Sequence, residues 1–163
     1  MSALSSLQHA SCVAWDAAAV LLRGPSGSGK SDLALRFLGL GSEAHLVADD
    51  QVLLERQEER LFASAPAALA GLLEVRGLGL WRVKSLARAE VRLIVNLFPR
   101  DAVPRLPESQ FAALAGVELP VLALHAFDAS TPMKLRVALE WIARATPEAI
   151  KSGGFPDTEG KFG

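Results

Sequence analysis

The sequence, 163 residues long, predicts an α/β fold, and three stretches carry that prediction. The first is Gly24-Pro25-Ser26-Gly27-Ser28-Gly29-Lys30-Ser31, a complete match to G-x-x-x-x-G-K-[ST]. The apolar run Val20-Leu21-Leu22 enters it and a helical pattern over 32–40 leaves it, the setting in which this motif makes a phosphate-binding loop. The second is a short strand, Ala44-His45-Leu46-Val47-Ala48, that ends abruptly in Asp49-Asp50. The third is Val91-Arg92-Leu93-Ile94-Val95-Asn96-Leu97, rich in β-branched residues and the clearest strand in the chain.

The other elements follow in order. Cys12 to Trp15 and Ala19 to Arg23 read as a hairpin turning at Asp16, its second strand feeding the phosphate loop. The helix after the loop carries Leu33, Leu35, Phe37 and Leu38 and stops at Gly39-Leu40-Gly41. Residues 51–55 and 61–63 flank the charged turn 56–60 and read as a second hairpin with a solvated tip. Residues 67–73 suggest a short helix after Pro66. In 74–80, two glycines among apolar residues mark either close backbone approach or a tight turn. A proline-rich loop, 99–107, carries Arg100 and Arg105. Residues 117–127 make an edge or interrupted strand, because Pro120 lies inside it. Thr131 is the expected N-cap and Pro132 the first residue of a last helix to Ala145. Its stripe Leu135, Ala138, Leu139, Ile142 packs on the core. Residues 1–150 are expected to form one domain, and 151–163 a flexible tail.

Bulk composition narrows the function. A net charge of −1 offers no broad basic surface, so neither nucleic acid nor anionic membrane is an expected partner. The single cysteine, Cys12, excludes an internal disulfide and a multi-cysteine zinc site and fits a reducing cytosol. The first residues lack a secretory pattern, and no apolar run reaches the roughly 18 residues of a membrane span. The expected location is cytoplasmic.

The chemistry gathers around the loop. Its glycines curl the backbone so that N–H groups face a polyphosphate, with the helix N-terminus behind them. Lys30 then bridges the outer phosphates and the Ser31 hydroxyl ligates Mg²⁺. Phosphoryl transfer also needs a metal-holding acid, a group that handles the nucleophile, and positive charge. Asp49 and Asp50 offer two such acids, and residues adjacent on an extended chain point to opposite sides. The alternative is one metal-holding acid with an incidental neighbour. Glu74 is a further metal- or nucleophile-orienting acid, and Arg76 or Arg105 would neutralise phosphoryl charge. On chemistry alone, His9 reads as a structural or solvated histidine ahead of the first strand.

Together, Gly24 to Ser31, then Leu46-Val47-Ala48-Asp49-Asp50, then Leu73-Glu74-Val75-Arg76-Gly77-Leu78-Gly79 resemble the ordered signatures of the bacterial HPr kinase/phosphorylase family. The resemblance covers about 8–105 well and is carried most specifically by the third motif. It implies a P-loop-containing kinase domain with a mixed central sheet, β-hairpin extensions and flanking helices. The implied activity is ATP- and Mg²⁺-dependent phosphorylation of a serine on an HPr-type phosphocarrier, reversible by phosphorolysis of phosphoserine.

By the same resemblance, Asp49 is the base toward that serine and His9 supports it. Asp50 joins Ser31 around Mg²⁺, Glu74 acts near a second metal position, and Arg105 is a late active-site arginine. Homo-hexamers are implied too. The chain looks like the short, single-domain forms of alphaproteobacteria. It departs from the family at Trp81-Arg82-Val83-Lys84-Ser85 and across 122–133, where the family's basic loop has no clear match. Two other functions fit the residues. One is a small-molecule kinase with an arginine-bearing lid. The other is a non-catalytic module that reports nucleotide to a signalling partner such as a sensor kinase.

Overall fold

The computed structural model describes residues 5–106 and 110–153. Eleven strands and three helices are present among them. The strands are β1 (Ser5–His9), β2 (Ser11–Trp15), β3 (Ala18–Arg23), β4 (Ala44–Ala48), β5 (Gln51–Gln57), β6 (Arg60–Ser64), β7 (Leu72–Val75), β8 (Gly79–Arg82), β9 (Ala89–Leu97), β10 (Phe111–Leu114) and β11 (Val117–Leu124). The helices are α1 (Lys30–Leu38), α2 (Thr131–Arg144) and α3 (Pro147–Gly153). Nine strands share one mixed sheet, whose main path runs β1-β5-β6-β9-β3-β2-β4. The strands β7 and β8 form a separate hairpin.

The long strand β9 organises the sheet. On one side it runs parallel to β3, the strand that delivers the phosphate loop. On the other it meets β6 near its start and β11, in parallel, over Ile94 to Leu97. Both faces are covered, which is why residues 18–22 of β3 and 93–95 of β9 read as continuous apolar runs rather than alternating ones. Val20, Leu22, Leu93 and Val95 pack against α1 and α2 through Leu33, Phe37, Leu135 and Leu139. Ala19, Leu21, Val91 and Ile94 face Val52, Leu54, Leu61 and Leu119 on the other side. Val91 and Leu93 thus lie on opposite faces although two residues apart. The register against β3 shifts between Ala19 and Val20, so one extra residue of β9 flips its later side chains over.

Several elements differ from the sequence expectation. The 67–73 stretch is a single 3₁₀ turn, Ala67–Leu69, after which β7 begins. Helix-forming alanines there yield to pairing with β8, which buries Leu73 against α1. Pro120 does not interrupt β11 but marks a change of partner. Residues Val117 to Pro120 pair with β10, and from Val121 onward the strand pairs with β9. Ser130, not Thr131, is the N-cap of α2, because the Thr131 hydroxyl donates to the His125 carbonyl instead. The helix α3 extends to Gly153, into the start of the expected tail; residues 154–163 lie outside the described residues. Among the described residues no helix is long and apolar enough to cross a membrane.

Cys12 lies in β2 with no exposed surface, and burial pushes its thiol well above the ordinary range. A thiolate is the reactive form, so a disulfide reagent is expected to leave the native protein unmodified and to titrate one thiol after denaturation. Rapid labelling of the folded chain would contradict this packing.

Candidate phosphotransfer site

The phosphate loop, residues 24–29, joins the carboxyl end of β3 to the N-terminus of α1. Gly29 is the N-cap of α1, with φ 97°, a conformation other residues adopt at a cost. The first turn of α1 leaves N–H groups without intrahelical acceptors, and they face the loop's concave side together with the positive end of the helix. Lys30 is buried, and its ammonium donates to the carbonyls of Gly24 (2.6 Å) and Pro25 (3.1 Å). Both are neutral acceptors of the loop itself, so the charge is not cancelled by them. The Ser28 hydroxyl is buried without a hydrogen-bond partner. A buried cation and an orphaned hydroxyl inside one loop suit an anionic ligand with several oxygens.

Beside the loop, the turn between β4 and β5 separates the two aspartates. Asp49 is nearly buried and accepts three hydrogen bonds. Ser31 Oγ (2.7 Å) and Ser11 Oγ (2.9 Å) donate to its Oδ1, and the Glu74 N–H (3.2 Å) donates to its Oδ2. The Gln51 N–H reaches back 2.7 Å to the Asp49 carbonyl, which closes a tight turn with φ 65° at Asp50. That turn throws the Asp50 side chain outward, where it is 61% exposed. There His9 Nε2 stands 2.6 Å from Asp50 Oδ1. The positive φ of Asp50 belongs to this turn, in a region that aspartate enters more readily than most residues.

The loop, Ser31, Asp49, Asp50 and His9 are therefore together, but their pairings are exchanged relative to expectation. Ser31 meets Asp49 rather than Asp50, and His9 meets Asp50 rather than Asp49. The reason is register. His9 ends β1, a strand the sequence did not announce, and lies opposite Gln51 at the start of β5, next to Asp50.

Glu74 lies in β7 opposite Leu80, one pair from the hairpin turn, with its side chain exposed; its backbone, not its carboxylate, holds Asp49. Arg76 is exposed near the hairpin tip. Gly77 and Gly79 take φ 90° and 93° with open space around them, so they serve the turn and not a close approach. Arg105 is exposed in the loop after the 3₁₀ turn Arg100–Ala102, and no contact among the described residues joins it to the aspartates.

Two pairings around the site had no sequence signal. Ser11, the first residue of β2, braces both aspartates, accepting the Asp50 N–H at 3.4 Å while donating to Asp49. Arg100 is fixed by Asp128, in the segment that follows β11 and presses on Gly29. Among the described residues, no three histidine, cysteine or carboxylate side chains converge as a metal cage. Ser31 with Asp49 instead matches the sparse protein contribution made to Mg²⁺ when phosphates and water complete its octahedron.

Comparison with known proteins gives a family and a fold. The family model described as HPr Serine kinase C-terminal domain matches residues 2–131. An HPr kinase/phosphorylase of Clostridium tetani is 46% identical over 67 residues, 41% of this chain and 21% of that protein. One from Lactobacillus acidophilus is 35% identical over 114 residues, 62% of this chain and 34% of that protein. The chain thus spans between a fifth and about a third of the length of these curated relatives. The solved structure of the HPr(Ser) kinase/phosphatase from Coxiella burnetii superposes with a TM-score of 0.72 at 23% identity. That match covers 85% of this chain and 94% of the other, and it is a likeness of fold.

Proposed function

This chain belongs to the HPr Serine kinase C-terminal domain family, and from that membership we propose that it phosphorylates a serine of an HPr-type phosphocarrier protein in the cytoplasm. ATP is the donor, Mg²⁺ the required ion, and the reaction is reversible by phosphorolysis. The observation that carries the reading is the pair of aspartates, one bound to the loop serine and the other to a histidine, on the rim of one phosphate loop.

Mg²⁺–ATP, when bound, supplies the electrophilic γ-phosphorus and neutralises charge on its oxygens. Lys30, now on two loop carbonyls, would hold the outer phosphate oxygens. Ser31 would ligate the ion, and Asp49 would hold Ser31 toward it. Asp50 accepts the proton of the substrate serine as its O–P bond forms and the bond to the ADP oxygen breaks. His9 aligns Asp50 and stabilises its charge. In reverse, Asp50 returns a proton to the serine oxygen as inorganic phosphate takes the phosphoryl group, giving pyrophosphate. Glu74 serves a second cation position, and Arg105 meets phosphoryl charge once substrate is present.

The test is incubation with Mg²⁺–ATP and the HPr-like proteins of the source organism, followed by mass measurement of each carrier. A gain of one phosphoryl group on a serine is expected, with its loss on adding inorganic phosphate. Intact ATP binding without transfer to any carrier would replace this reading with a nucleotide-reporting module. Transfer to a small acceptor alone would replace it with a small-molecule kinase.

A further inference from the structure

An exposed aromatic beside the phosphate loop has no part in the chemistry above. Phe127 follows β11 and has 56% of its surface open. A β-carbon at Gly29 would stand 2.8 Å from its Cζ and 3.0 Å from its Cε1, so the outer edge of the ring rests on the loop. That contact engages the edge of the ring, and more than half of the residue's surface stays open. The His125 ring meets it at 5.8 Å between centroids and 68°, an edge-on contact.

The segment that carries Phe127 is fastened from several sides. Arg36 of α1 donates to the carbonyls of Ala126 and Asp128. Arg100 donates to the Asp128 carboxylate at 2.7 Å, and the Phe98 carbonyl is 2.9 Å from His125 Nδ1. Thr131 closes it through the His125 carbonyl. The backbone that bears this exposed phenyl ring is therefore fixed in place.

Position gives the ring a use. The strand β11 runs parallel to β9, and β9 to β3, so Phe127 and the phosphate loop sit at the same, carboxyl end of the sheet. Ligands of open α/β sheets bind at that end. A nucleotide with its phosphates in loop 24–29 must carry its sugar and base away along this rim.

We propose that Phe127 is the stacking platform for the nucleobase of the bound nucleotide. The inference rests on the phosphate-loop reading and extends it to the base. It also sets the kind of selectivity. The carbonyls of His125, Ala126 and Asp128, the Asp128 carboxylate and His125 Nδ1 are already engaged within the protein. Each of these groups already gives a bond to the protein, and the exposed ring is what the segment presents to solvent. A face of a ring accepts any flat base, so ATP and GTP bind alike.

The test is calorimetric binding of ATP, GTP and inorganic tripolyphosphate, with Mg²⁺, to the whole protein and to Phe127→Ala and Phe127→Trp. Phe127→Ala is expected to weaken ATP and GTP by about tenfold each and to leave tripolyphosphate unchanged. Phe127→Trp is expected to restore both nucleotides. Equal weakening of tripolyphosphate would make Phe127 a prop for the loop and overturn the proposal. So would unchanged ATP affinity, or a strong preference between ATP and GTP in the unaltered protein. Failure of the unaltered protein to bind tripolyphosphate would overturn the phosphate-loop reading itself.

Discussion

Asp50→Asn is expected to slow serine phosphorylation by about 10²–10⁴-fold, the usual contribution of a positioned proton acceptor, with ATP and Mg²⁺ affinity unchanged. The substitution is a clean probe because asparagine tolerates the φ of 65° at this turn as well as aspartate does. It also keeps an oxygen for His9, which stands 2.6 Å away. What it removes is the lone pair that takes the serine proton. The exposure of Asp50 matters here, since a protein serine must reach it, whereas Asp49 lies under Ser11, Ser31 and the β7 backbone. Single-turnover transfer to the carrier, beside calorimetric ATP binding, checks the result. Unimpaired transfer by Asp50→Asn would remove Asp50 from the chemistry. His9→Gln should lose less than Asp50→Asn, because the histidine acts through the aspartate and touches no reacting atom.

The parts of this site legible in the sequence are those written in contiguous residues. The loop announces itself because eight consecutive positions must satisfy one backbone geometry. The aspartate pair announces itself because an apolar strand stops dead on two charges. Which aspartate meets Ser31 and which meets His9 is different. It depends on φ at Asp50 and on β1 pairing with β5 so that His9 falls opposite Gln51. A one-residue change of register would carry the imidazole to the other face, and nothing in the residues 5–9 fixes that register locally. Phe127 was illegible for a similar reason, since its neighbour Gly29 is far off in the chain and meets it only through the parallel pairing of β11 and β9. The 67–73 stretch misled because alanine and leucine favour helix in isolation, while the buried site for Leu73 beneath α1 selects a strand.

Asp49→Asn should fail in a different way, and the difference separates the two carboxylates. Its Oδ1 accepts two hydroxyls and its Oδ2 the Glu74 N–H. An amide at this position must keep its oxygen on the Glu74 N–H, which cannot reverse, and so turns its NH₂ toward Ser11 and Ser31. Both hydroxyls can rotate to accept, so the fold survives at a cost of about 1–3 kcal/mol, the penalty of rearranging a buried charged acceptor. Ser31, however, then points a lone pair at the amide in place of the metal position, and the negative charge that attracts the ion is gone. Apparent Mg²⁺ affinity is expected to fall by about 10–100-fold, as it does when a group supporting a metal ligand is removed. Transfer by Asp49→Asn should recover as Mg²⁺ is raised, and transfer by Asp50→Asn should not. A Mg²⁺ titration of the two variants side by side decides the assignment. If Asp49→Asn stays inactive at saturating Mg²⁺ while Asp50→Asn responds to the ion, the roles are reversed, with Asp49 as the base and Asp50 as the metal-holding acid.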